Sequence, residues 1–315
     1  MQDITTRAPF EVAIGSRDAD PEGFARDFDA SFERHGWAVV PDHGVDSALV
    51  TRASAMFDAF CCEPASYKCR FHHPRSVTGD GYTRCDLSHE PSRDDFGDRW
   101  QVGRTLAQGE ADPAIASGVV WPEQPGGFRE ALSELFLELD RAGTTLLSAI
   151  ARFLWLKDDW FVDPVARNDN VLQLIRLPPS SARADRKPFG FDRNVDLITM
   201  TLCPGGAEFE LLGRDDRWIP VKLSPGKMLV AVGDMLQRIT NDVLPSSIFR
   251  LSRAGPEPDL PSVHLVHFSV PFRSDHQIQT LPECGLGTAR DQYPVPIAAG
   301  EYRRQRLREA GRASL

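Results

Sequence analysis

What this 315-residue chain has little of narrows its class first. No apolar run approaches the roughly 20 residues that carry a helix across a bilayer, so no membrane span is predicted. Its cysteines are six (Cys61, Cys62, Cys69, Cys85, Cys203 and Cys284), unevenly spaced and too few for a disulfide framework in so long a chain. Reduced thiols are therefore expected. The group Cys61, Cys62, Cys69, His72, His73 and Cys85 lacks the paired CxxC or HxxxH spacing of a structural zinc site, and packing is the expected role of its members. The 36 basic and 45 acidic residues are interspersed and leave a net charge of -9, which argues against nucleic acid as a partner. The opening stretch MQDITTRAPFEVAIG has neither the basic start nor the apolar segment of a secretory leader, and predicts a cytoplasmic protein. No internal repeat and no low-complexity run is present.

What is there divides into helices first and strands second. Phe24, Phe28 and Phe32 recur every four residues and predict a helix that stops at His35-Gly36. A short strand in WAVVPDHGV follows, then a second helix through Leu49, Val50, Ala53, Met56, Phe57 and Phe60, capped at Asp46 or Ser47 and limited by Pro64. Phe128, Leu132, Leu135, Phe136, Leu139, Leu146, Leu147, Ile150 and Phe153 draw the longest amphipathic stripe. After Asp159 the character changes. VLQLIRL, DLITMTL, AEFELLG, RWIPVKL, KMLVAVGD and VHLVHFSVPF are short strand-like segments separated by Pro, Gly and Asp, as in an antiparallel sandwich or jelly roll. The expected organisation is one domain: a mainly helical part at 1–158, a jelly-roll core at 159–297 and a charged surface helix at 298–315.

The segments FERHGWAVVPDHGV, GDGYTRCDLS, DRWQVGR, VVWPEQPGGFRE, RWIPVKLSPGKMLVAVGDMLQRITNDVLPSS and YRRQRLREAG occur in the order and spacing of a known family. The chain resembles the isopenicillin N synthase-like iron(II) and 2-oxoglutarate oxygenases over nearly its whole length. The resemblance implies an α+β fold, a double-stranded β-helix (jelly roll, cupin-like) with N-terminal and flanking helices. It also implies where a metal would sit. Such proteins hold iron with a His-x-Asp pair and a distant His followed by Arg. Aligned on the shared LIT at Leu197–Thr199, the pair falls on Asp192 and Asn194; aligned on TND and PSS, the distal position falls on Phe249. The Arg-x-Ser that grips the cosubstrate carboxylate, counted back from Phe268 and Pro271, falls on Ser262 and His264, and an Arg and Tyr on an earlier strand become Gln173 and Leu177.

From this comparison follow the functional expectations. Phe has no lone pair and Asn offers a neutral amide oxygen, so no metal and no cofactor are expected. Period-two alternation puts Asp192 with Asn194 on one strand face, and Ser262, His264, Val266 and Phe268 on another; both faces are expected to look into the barrel. Asp192 and His264 are then candidate acid–base residues. Asn194 and Ser262 would hydrogen-bond a substrate, Phe249 and Phe191 would shape its pocket, and Gln173 and Arg176 would line it. The leading expectation is a metal-independent biosynthetic enzyme that isomerises, eliminates or cyclises a small molecule. One alternative is a non-catalytic pseudo-oxygenase that binds a metabolite or partner. The other is an iron oxygenase with non-standard ligands drawn from Asp192, His264 and one of His72, His73 or His89. His267, of opposite parity to His264, is assigned no role, and Trp100, Trp121, Trp155 and Trp218 are read as core.

Overall fold

A computed structural model describes residues 11–71, 80–84, 97–103, 120–165, 169–177, 190–191, 194–251, 262–285 and 291–309. Helix α1 (Pro21–Phe28) starts on a proline, whose ring presets φ, and the Asp20 carboxylate accepts the Gly23 N–H at 2.9 Å. Its aromatic stripe continues through Phe32, which stacks on Phe28 at 4.5 Å. The chain then turns at Gly36 with φ +77°, where any Cβ would lie 2.0 Å from the Pro245 carbonyl oxygen. Helix α2 (Ser47–Cys62) is capped by Asp46, the first of the two expected positions, and ends two residues before Pro64. Helix α3 (Phe128–Phe153) is the long one.

Among the described residues eleven strands form two facing sheets, and Gln277–Ile278 pairs separately with Ile297–Ala298. The large sheet has the order β1 (Trp37–Val40), β9 (Met228–Val232), β6 (Ile198–Leu202), β11 (Val263–Val270), β4 (Val171–Leu177), β3 (Asp98–Gly103) and β2 (Gly81–Arg84). The small sheet runs β5 (Gly190–Phe191), β10 (Phe249–Leu251), β7 (Ala207–Leu212) and β8 (Trp218–Leu223). All of these pairs are antiparallel, and the result is the expected jelly roll buttressed by helices. Among the described residues edge strand β8 pairs on one side only, and its exposed Pro220 and Lys222 alternate with buried Val221 and Leu223.

The large sheet buries apolar side chains on both faces. One face carries Leu172, Leu174, Val266, Phe268 and Val270 and packs on α2 and α3; Phe136 meets Phe268 edge-on at 5.1 Å. The other carries Ile175, Leu177, Leu229, Ala231 and Leu265 and closes on Phe209, Leu211, Val221 and Phe249 of the small sheet. Gly143 lets α3 approach: a Cβ there would lie 3.2 Å from both Met200 and Val270 side-chain carbons. Trp155 corrects the sequence reading. It follows α3 with φ +59° and is 91% exposed, whereas Trp100 is fully buried. Helices α4 (Asp234–Ile239) and α5 (Ala299–Glu309) complete the flank, with the Arg306 guanidinium 2.9 Å from buried Asp234.

Candidate functional site

Cross-strand register decides which side chains share the barrel. Thr201 on β6 pairs with His267 on β11, His267 with Gln173 on β4, and Gln173 with Gln101 on β3. These four lie on the face of Leu265 and Ile175, so they form one polar row across the barrel interior. Gln173 donates its amide to Gln101 Oε1 at 2.7 Å, and His267 Nδ1 shares a hydrogen bond with the Thr201 hydroxyl at 3.0 Å. The next row on one side contains buried Thr199, opposite half-buried Ser269. Thr199 Oγ1 has no hydrogen-bond partner among the described residues. On the other side the row turns apolar with Leu265 and Ile175, except that β3 contributes Arg99 opposite Ile175.

His267 is 6% exposed. Burial, and secondarily the positive charge of Arg99, push its imidazole down to about 4, so it is neutral at physiological pH. Phe249 is buried at the same level, 6.4 Å from the His267 ring and 5.9 Å from that of Phe209. Asn194 precedes β6. Its Oδ1 accepts the Asp196 N–H at 3.1 Å, its carbonyl accepts the Asp234 N–H at 2.7 Å, and its buried Nδ2 has no partner among the described residues. This turn fits only because residue 233 is glycine, since a Cβ there would sit 2.1 Å from the Asp196 carbonyl oxygen. Arg303 of α5 stands 3.9 Å from Asp196, so the C-terminal helix fixes the turn that carries Asn194.

The expected site residues therefore separate. Gln173 and Phe249 belong to the barrel side, and Asn194 stands in the turn before β6. His264 does not, because residues 264, 266 and 268 of β11 face the helices. Its Nε2 lies 3.0 Å from Asp58 Oδ1 on α2, and Asp58 also accepts Arg176 Nε at 2.7 Å. Burial opposes ionisation of Asp58, yet the hydrogen bonds from Arg176 and His264 outweigh it and hold the carboxyl below its usual range. Arg176 reaches on to Asp98 at 3.6 Å. Both His264 and Arg176 thus clamp the sheet to a helix, and Ser262 precedes the strand without entering the polar row. Phe191 pairs by backbone with Phe249; its side chain, with Asp192, His72, His73 and His89, lies outside the described residues. His267, Thr201, Gln101 and Arg99 are the residues that sequence reasoning missed. A signal existed in DRWQVG, where apolar Trp100 and Val102 alternate with Arg99 and Gln101.

A chain with 33% identity to this one is a 2OG-Fe(II) oxygenase family protein from Caulobacter crescentus, whose crystal structure superimposes with a TM-score of 0.83 over 97% of this chain and 100% of that one. The chain belongs to the 2OG-Fe(II) oxygenase family. Among curated relatives, the oxygenase-family match extends at 25% identity to proline hydroxylase buaE of Petromyces alliaceus, over 91% of this chain and 93% of that protein. A 2-oxoglutarate-Fe(II) type oxidoreductase, ppzD of Metarhizium rileyi, is also 25% identical, over 90% of this chain and 85% of that protein. No family model matches the chain.

These relatives overturn the expected metal-independent isomerase, lyase or cyclase, for they are named as hydroxylase and oxidoreductase along nearly the full length. Of that reading's acid–base pair, His264 bonds Asp58 on the helix side, and Asp192 lies outside the described residues. Asn194 has a neutral amide already engaged and Phe249 has no donor atom. Among the described residues no three His, Cys, Asp or Glu are grouped to hold a metal ion. Asn194 and Phe249 do not fit an iron centre, and any iron this chain binds takes its ligands from other residues.

Proposed function

We propose that this oxygenase-family chain is an oxidoreductase of the 2-oxoglutarate- and iron-dependent class, acting on a small organic molecule held in the polar part of the barrel. The observation that supports it is the row Thr201, His267, Gln173 and Gln101. These side chains line the inside of a jelly roll whose remaining inner positions are mostly Leu, Ile, Val and Phe. Such a row offers directional hydrogen bonds beside apolar surface. Iron and 2-oxoglutarate supply the oxidising chemistry in this class. The chain's own groups orient the substrate: Gln173 and Gln101 present amide donors and acceptors, and neutral His267, braced by Thr201, presents an imidazole that stays uncharged.

The test is 2-oxoglutarate turnover. Purified protein incubated with iron(II), ascorbate, oxygen and 2-oxoglutarate is expected to release succinate, with the yield raised by the right partner from a panel of small amino acids that begins with proline. No succinate under any of these conditions, in protein that also retains no iron after desalting, would overturn the proposal.

A further inference from the structure

Arg99 has no acidic counterpart among the described residues. It sits on the barrel face of β3, opposite Ile175 and two residues from Gln101, and is half-buried. Among the described residues it makes no salt bridge and no side-chain hydrogen bond. The barrel-facing positions around it are Thr83 on β2, Gln173 and Ile175 on β4, Leu265 and His267 on β11, Thr201 on β6 and Phe249 on β10. No described barrel-facing strand position is Asp or Glu; the acids of neighbouring strands, such as Asp98 and Glu210, point to the opposite faces and hold Arg176 and Arg250. A half-buried guanidinium on an inner barrel face is placed to attract an anion, and its planar fork suits two carboxylate oxygens.

We infer that Arg99 is a ligand-binding residue that grips a carboxylate of the small molecule in the barrel, with Gln101 and Gln173 beside it to hydrogen-bond the adjoining polar atoms. The inference rests on reading the barrel as a small-molecule site. It narrows the ligand to an organic acid, whether the substrate or 2-oxoglutarate. The depressed imidazole of His267 agrees with the geometry, because Arg99 contributes to it through space.

The experiment is calorimetric binding to the full chain without added metal. The probes are 2-oxoglutarate in one arm, and L-proline and 3-phenylpropionate against L-prolinamide and 3-phenylpropionamide in the other. At least one acid is expected to bind about tenfold tighter than its uncharged partner, or in the first arm to bind measurably. That binding should be lost in Arg99→Gln and partly kept in Arg99→Lys. Loss confined to the first arm identifies the cosubstrate as the source of the carboxylate; loss in the second identifies the substrate. No acid bound at millimolar concentration, or acid binding unchanged in Arg99→Gln, overturns the inference. Succinate release with Arg99-independent binding would sink this inference while leaving the proposed class intact.

Discussion

Two histidines three residues apart on one strand meet opposite environments. His264 lies against a carboxylate on the helix side, and His267 is enclosed among Thr201, Gln173 and Phe249. Replacing His264 by Ala should leave kcat/KM within about twofold, since it touches no barrel residue; a large loss in steady-state assays would contradict that placement. His267 makes a different prediction. Its folded pKa, about 4, lies below the ordinary value of 6.5, so the unfolded chain binds more protons between these values. Its contribution to stability is whole above about pH 6.5 and is lost as pH falls toward 4. Urea melts at pH 7 and pH 5 should show that His267→Gln is spared about 2 kcal/mol of the acid-side loss seen in the wild type. The parity of β11 was not legible in the sequence for a physical reason. Val266 and Phe268 are buried against helices while Leu265 is buried in the barrel, so apolar residues stand on both faces and alternation carries no signal. In β3 the alternation was visible, but a polar face reads as solvent until the opposing sheet is in place.

At the scale of elements, α2 is tied to the large sheet by a charged clamp rather than by packing alone. Asp58 holds both Arg176 of β4 and His264 of β11, with Asp98 as the second partner of Arg176. Asp58→Asn should cost about 1 kcal/mol, a modest figure because 40% of the Asp58 side chain remains in water. Thermal unfolding at pH 7 checks it. The contact of α3 with the sheet is closer and less forgiving. Gly143→Leu would push a branched side chain into Met200 and Val270, already 3.2 Å from a single added carbon, and should lower stability by about 1–3 kcal/mol. The helices themselves were legible in the sequence, because the Phe24, Phe28, Phe32 stripe and the long stripe of α3 each mark one buried face. Trp155 was not, since a bulky apolar residue carries no local mark of the left-handed turn that leaves it in solvent.

For the molecule as a whole, the helical first part and the jelly roll share one apolar core. Phe57, Phe60, Phe136 and Leu139 from helices pack with Leu174, Met200, Val266 and Phe268 from strands. Residues 159–315 expressed alone would expose that entire sheet face, and we expect the fragment to be recovered without a cooperative melting transition, whereas the full chain shows one in calorimetry. Two transitions in the full chain would instead indicate two independent units. The outer rim of the small sheet has a different consequence. At β8 the ring nitrogen of Pro220 has no hydrogen to lend and Lys222 sets a charge beside it, so a second molecule finds no continuous ladder to extend. Crowded solutions of this protein are therefore protected along that border from stacking strand upon strand into fibres.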